Sequence, residues 1–393
     1  MAFLIIIIGL TLLIALTRVT TVVIHELGHA ITGLLLFKGE VSIYIGSYGD
    51  PKKGIHFNIG RLQVHFKYNP FMWNHGLCTS ADIQRSFLRV YLFTLSGPIA
   101  TLILSMLCLY LLIAPEIHGA LKLISLSLFF SSFYDFVQNI RPVEYPIILH
   151  NGTLTYNDGQ TLKLLKEYRN VYSEVTLLSQ YYLNNEIDNG IEFFKEIYST
   201  KPDSNVLRMG IALYIKGGYY KNALTLFNKF NCLEDLNSDD HCYYGLIHSF
   251  SGNHLDALKA YNKALELNSS SFFALNNRGY TLNKLGRYKN ALLDFNRAID
   301  MNGRFAYSYS NRGLSKIKLD EISEGLSDIE KAIEIDPKDS YAYKNLGIFH
   351  KENGQLNQAL NLFLKAKKHE PKTEGLVDLI SETQIEIQTR TES

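Results

Sequence analysis

Gly245, Gly279, Gly313 and Gly347 stand 34 residues apart. Twelve positions after each come Ala257, Ala291, Gly325 and Ala359. Four further on come Tyr261, Phe295, Ile329 and Phe363, and then Ala264, Ala298, Ala332 and Ala366. Pro337 and Pro371 close the last two units. Four columns in one register constrain this half of the chain to a stack of similar units, each too small to bury its own apolar face alone. Weaker copies precede them, one with Ala223 and Phe227 and another with Gly190, Phe194 and Pro202. About six units then span 171–373, and 374–393 reads as a capping helix and tail.

The period, with small residues where helices meet and an aromatic filling the groove, resembles the tetratricopeptide repeat. That resemblance implies helix pairs stacked into a right-handed superhelix whose concave face takes a peptide or adaptor protein. Tyr280, Tyr307, Tyr309, Asn276, Asn311 and Asn345 are candidates for that face or for ordinary packing. A spacer or dimerisation role is the alternative.

The N-terminal half has a different composition. Net charge over the chain is +1, which gives no indication of nucleic acid as a partner. A mean hydropathy of -0.02 averages long apolar runs before residue 150 with a polar remainder. Three runs suit membrane spans: 3–37, 88–114 and 120–140. The first lacks the basic start and small-residue cleavage site of a secretory signal. As one helix it is about 50 Å long, against roughly 30 Å of hydrocarbon. It must therefore tilt, break near Arg18 or protrude. Between the first two spans, alternation over 54–68 predicts a hairpin or small sheet.

Basic residues set the expected orientation. Lys38, Lys52, Lys53, Arg61, Lys67, Arg85 and Arg89 crowd the 38–89 region, whereas the turn at 115–119 has none. Three spans then leave 38–87 and everything after Arg141 in the cytoplasm. None of Cys78, Cys108, Cys232 and Cys242 forms a C-x-x-C pair, which fits reducing surroundings. The expected location is a bacterial inner membrane, with the repeats cytoplasmic.

Within the first span lies His25-Glu26-Leu27-Gly28-His29. Ionisable groups in hydrocarbon are costly and default to function. On a helix His25 and His29 share a face, so both imidazoles reach one Zn²⁺, and Glu26 is placed to act as general base on a zinc-activated water. A catalytic zinc also takes a third protein ligand. Asp135, Glu144, His150, Asp158, His56, His65 and His75 are candidates, and spacing does not choose among them. Asp135 is otherwise expected to reach the interface or hydrogen-bond its neighbours Tyr134 and Asn139. Arg18 would carry its charge towards water or face the bundle.

The H-E-L-G-H-A sequence in an apolar segment resembles the site-2 protease family of intramembrane zinc metalloproteases. "SGPIA" (96–100) is similar to the small-Gly-Pro element of a core helix in that family. "NIRP" (139–142) with "NDG" (157–159) is similar to its Asn-x-x-Pro and Asp-Gly motif. The resemblance covers about 1–165 and implies Asp158 as third ligand and Asn139 as a residue holding the substrate backbone. Fifteen residues separate Pro142 from Asp158, more than the family usually has. A short hairpin over 145–156 would return Asp158 to the site; otherwise Asp135 or His150 is the ligand.

The expected fold is thus an α-helical membrane protein. A three-span metalloprotease core with a small β-hairpin region (1–165) precedes an all-α tetratricopeptide solenoid. The expected activity is zinc endopeptidase action on a transmembrane protein substrate in the lipid bilayer, with the 38–87 loop offering an edge strand to the unwound segment, a role tested by replacing its 54–68 hairpin. The alternative is a membrane-anchored scaffold with a vestigial metal site.

Overall fold

A computed structural model describes residues 2–52, 54–81, 86–143, 146–150, 154–231 and 236–392. Lys53, Arg85, Glu144 and Cys232, singled out above, lie outside them. The chain divides into two compact units, Met1–Ser173 and Glu174–Ser393.

The first unit begins with α1 (Ala2–Leu36), a single helix of 35 residues with no break at Arg18. It is followed by β1 (Val41–Ile45), β2 (Gly54–Ile59), β3 (Leu62–Lys67) and β4 (Gly76–Ser80). Two further apolar helices are α2 (Phe87–Ile113) and α3 (Gly119–Ile140). Three helices are therefore long and apolar enough to cross a membrane. Hydroxyls tie α1 to α3: Thr17 Oγ1 lies 2.9 Å from Ser127 Oγ, and Thr21 Oγ1 donates to Ser131 Oγ at 2.8 Å. Such hydroxyl pairs join two apolar helices through interhelical hydrogen bonds.

The region between α1 and α2 is more than a hairpin. Its four strands run in the order β2-β3-β1-β4, with β1 parallel to β3 and antiparallel to β4. Val41, Ile43 and Ile45 alternate inward and pack with Val22 and Ala30 of α1, as period-2 patterning requires. Arg61, in the turn between β2 and β3, donates to the carbonyls of Leu34, Phe37 and Gly39. Its guanidinium so satisfies the frayed end of α1 and fixes the sheet to that helix.

Beyond α3, β5 (Ile147–Ile148) and β6 (Leu154–Thr155) pair antiparallel and lead into α4 (Asp158–Glu167). The short hairpin accounts for the long spacing after Pro142. Asn157 fastens the junction: its Oδ1 caps Gln160 N at 3.0 Å, and its Nδ2 donates to Arg141 O at 2.7 Å. The start of α4 is thereby tied to the end of α3.

The second unit is all helix. Pairs run α5/α6 (Tyr172–Leu183, Ile187–Thr200), α7/α8 (Ser204–Lys216, Tyr220–Asn231) and α9/α10 (Ser238–Phe250, His254–Leu267). They continue as α11/α12 (Phe272–Lys284, Tyr288–Met301), α13/α14 (Ala306–Ile317, Ile322–Ile335) and α15/α16 (Ser340–Glu352, Leu356–His369), before α17 (Leu376–Glu392). The glycine column faces the aromatic column: a Cβ on Gly279 would meet the Phe295 ring at 2.7 Å. Asn276, Asn311 and Asn345 are buried. Asn345 Nδ2 donates to Ser310 O at 2.9 Å and Asn276 Oδ1 accepts from Ser308 at 3.1 Å, so these asparagines join successive repeats.

Candidate metal centre

His25 and His29 sit one turn apart on the buried side of α1 and bring their Nε2 atoms to 3.2 Å. Asp158, the first residue of α4, sets Oδ2 at 3.0 Å from His25 Nε2 and 3.4 Å from His29 Nε2. Zinc bonds of roughly 2.0–2.1 Å at tetrahedral angles would separate the donors by about 3.3–3.4 Å. The three atoms form the compact group that could hold a metal among the described residues.

The far side of each ring decides what its Nε2 can do. His29 Nδ1 lies 2.7 Å from Phe93 O, which only accepts, so Nδ1 carries the proton. His25 Nδ1 lies 2.8 Å from Asp135 Oδ2, with the ring turned off the ideal hydrogen-bond line. Arg18 pairs with the other oxygen of that carboxylate at 2.6 Å. Asp135 is 2% exposed; its carboxylate meets Arg18 and His25, and of the neighbours expected to bond it Asn139 reaches its backbone carbonyl. Arg18 faces the bundle. In their neutral forms, with Nδ1 protonated, both rings would turn an Nε2 lone pair towards the Asp158 carboxylate, the donor geometry a cation takes up. The donor set fits zinc, and the carboxylate behind one histidine and the carbonyl behind the other are the supports that metal-binding imidazoles use.

Burial alone would raise the Asp158 carboxyl, but the His29 charge and the hydrogen bonds of both imidazoles hold it well below the usual carboxylate range. It is ready as an anionic ligand at neutral pH.

Backbone approaches closely on two sides. A Cβ on Gly97 would lie 2.7 Å from His25 Nε2 and closer still to His29 Nε2, so the "SGPIA" element puts bare backbone against the ligand pair. A Cβ on Gly76 would meet Glu26 Oε1 at 2.7 Å. Glu26 lines a cavity of about 420 Å³ together with the three donor residues, Asn139 and β4 residues Gly76–Ser80. Asn139 donates through Nδ2 to Asp135 O at 3.1 Å.

The other histidines stay outside the site. His150 Nε2 lies 3.5 Å from Asp50, His65 stacks with Tyr44, and His75 Nδ1 lies 2.8 Å from Asn74 Oδ1. His56 belongs to the same strand pairing as His65. Asp135, a candidate for the third ligand, instead stands behind His25, and Arg18 faces it, the second of the two placements expected of it.

Comparison with known proteins speaks to the other half. Models described as tetratricopeptide repeat match residues 242–271, 272–305, 306–339 and 329–361. Residues 242–361 are tetratricopeptide repeats. No curated protein matches the chain. Among solved structures, YrrB, a tetratricopeptide repeat protein with an unusual peptide-binding site, is 20% identical over 47% of this chain and 94% of its own, with a TM-score of 0.34. A thermophilic tetratricopeptide repeat protein of Thermus thermophilus is 21% identical over 46% and 97%, TM-score 0.39. One from Parabacteroides merdae is 18% identical over 58% and 91%, TM-score 0.45.

Proposed function

We propose that the chain is an intramembrane zinc endopeptidase that cuts in or near a transmembrane segment of a partner protein. The observation carrying this is the convergence of His25, His29 and Asp158 beside Glu26 in one cavity. Zinc, when bound, supplies Lewis acidity and a nucleophile at neutral pH. Glu26 accepts the proton released on attack and returns it to the leaving amine at the same carboxylate. Asn139, on the cavity wall, orients the substrate backbone.

A helix hides its peptide bonds, so the substrate segment unwinds and extends. Within the 38–87 loop, the strand that receives it is β4 rather than the 54–68 hairpin. β2 is the far edge of the sheet and mostly exposed, whereas β4 is the edge along the cavity. In this reading the three apolar helices lie in a bacterial inner membrane, and the cytoplasmic repeats recruit or regulate the substrate.

The test uses protein purified in detergent. Wild type should hold one zinc per chain, lost in His25→Ala and weakened in Asp158→Ala. Glu26→Gln should keep its zinc, and cells carrying it should lack the new N-termini inside membrane segments that wild type generates. Folded wild type without zinc would defeat the reading.

A second reading, a non-catalytic membrane-anchored scaffold with a vestigial metal site, is favoured by one observation. The family matches all fall on the repeats. It expects Glu26→Gln cells to be indistinguishable from wild type.

A further inference from the structure

The link between α16 and α17, Glu370–Gly375, spans the inward faces of the repeats. Lys372 Nζ donates to Gly217 O at 2.9 Å, 155 residues away, and stands 5.9 Å from the Tyr219 ring. Glu374 reaches α11: Tyr280 Oη donates to its carboxylate at 2.7 Å, and Lys284 Nζ pairs with it at 2.9 Å. Lys344 Nζ, on α15, donates to Glu374 O at 3.2 Å. Lys344 is only 5% exposed. Its ammonium otherwise meets ring faces, Tyr341 at 4.3 Å and Tyr280 at 5.6 Å.

Beside this link is a cavity of about 280 Å³ walled by Phe250, Tyr261, Tyr280, Tyr307 and Tyr341, with Glu370 at its margin. The walls come from α9, α10, α11, α13 and α15. A phenol and the Lys284 ammonium on the carboxylate, the Lys344 amine on the backbone carbonyl behind it and a row of aromatic faces form a receptor for a carboxylate with an apolar side chain next to it. Packing within one helix pair does not require such a constellation. It joins α11 and α15, two repeats apart, through an acid borrowed from the link.

We propose that Glu370–Glu374 is a self-bound stand-in for a partner peptide. The partner is an extended acidic segment whose carboxylate takes the place of Glu374 on Tyr280 and Lys284 and whose neighbouring apolar side chain fills the tyrosine-walled cavity. Tethering gives the internal segment an effective concentration in the millimolar range. A partner with the carboxylate alone therefore loses to it, and the apolar contact supplies the advantage. The inference is independent of the metal-site reading.

The experiment uses full-length protein in detergent and a fluorescein-labelled peptide of residues 369–375, His-Glu-Pro-Lys-Thr-Glu-Gly, followed by anisotropy. Glu374→Ala, which vacates the site, should bind the peptide at least tenfold more tightly than wild type. Adding Lys284→Ala should abolish that gain. Lys372→Ala loosens the far end of the link while sparing the receiving residues and should give a gain of several-fold. It is the deciding variant if Glu374→Ala does not fold. Binding no tighter than wild type in a variant with an intact thermal transition overturns the proposal.

Discussion

A carboxylate behind a metal-binding imidazole fixes its tautomer and raises its basicity. Asp135 has that place behind His25, and Arg18 pairs with its other oxygen. Asp135→Asn preserves shape but removes the charge, so zinc affinity should fall about 10–100-fold, read by competition with a chromogenic chelator. Unchanged affinity would show that Asp135 only packs. The histidine pair was legible in the sequence because both ligands lie on one helical turn, where spacing alone determines geometry. Asp158 was reachable only through the Asn-x-x-Pro and Asp-Gly resemblance, since its approach depends on the β5/β6 turn-back and the Asn157 fastening. The Arg18–Asp135 pair links residues 117 positions apart. No local pattern encodes it, and each member read singly looks like an interfacial charge.

At the level of elements, the phase of β4 makes its outer edge testable. Gly46 N donates to His75 O and Ala81 N to Glu40 O, so alternate residues bond to β1 and Gly76 and Cys78 turn their backbone groups away from it. Cys78→Pro removes one outward N–H while sparing the β1 ladder, a position where an edge strand tolerates proline. Cleavage should drop at least tenfold with the thermal transition held within a few degrees. Replacing β2, at the opposite edge, should leave cleavage intact. The alternation over 54–68 correctly announced β2 and β3. β1 and β4 were missed as partners because a parallel pairing joins strands through a crossover, which alternation does not report. The helix pairs were legible throughout, because a 34-residue period repeats every interface. The same 34-residue spacing carries an Arg–Asp fork that the glycine and aromatic columns do not announce: Arg278 grips Asp294 and Arg312 grips Asp328, each through two nitrogens.

At the scale of the whole molecule, two units with separate cores should unfold separately. A ligand that binds one folded unit stabilises that unit alone, by about 4 kcal/mol at a thousand times its Kd. Calorimetry of the zinc-loaded protein should therefore show two transitions. Chelation should lower the one belonging to residues 1–173 and leave the repeat transition in place. A shift of both by the same amount would mean that the units fold as one.

The third donor arrives late. Asp158 follows His25 by 133 positions, and α2, α3 and the β5/β6 turn-back lie between them. A growing chain exposes two imidazoles long before it can offer the carboxylate that completes the set. In the membrane reading, stable metal uptake waits until the last of the three apolar helices has been made and α4 has turned back onto α1. Zinc retention then records finished biogenesis, and chains stalled or truncated before residue 158 should leave the ribosome unable to hold the metal.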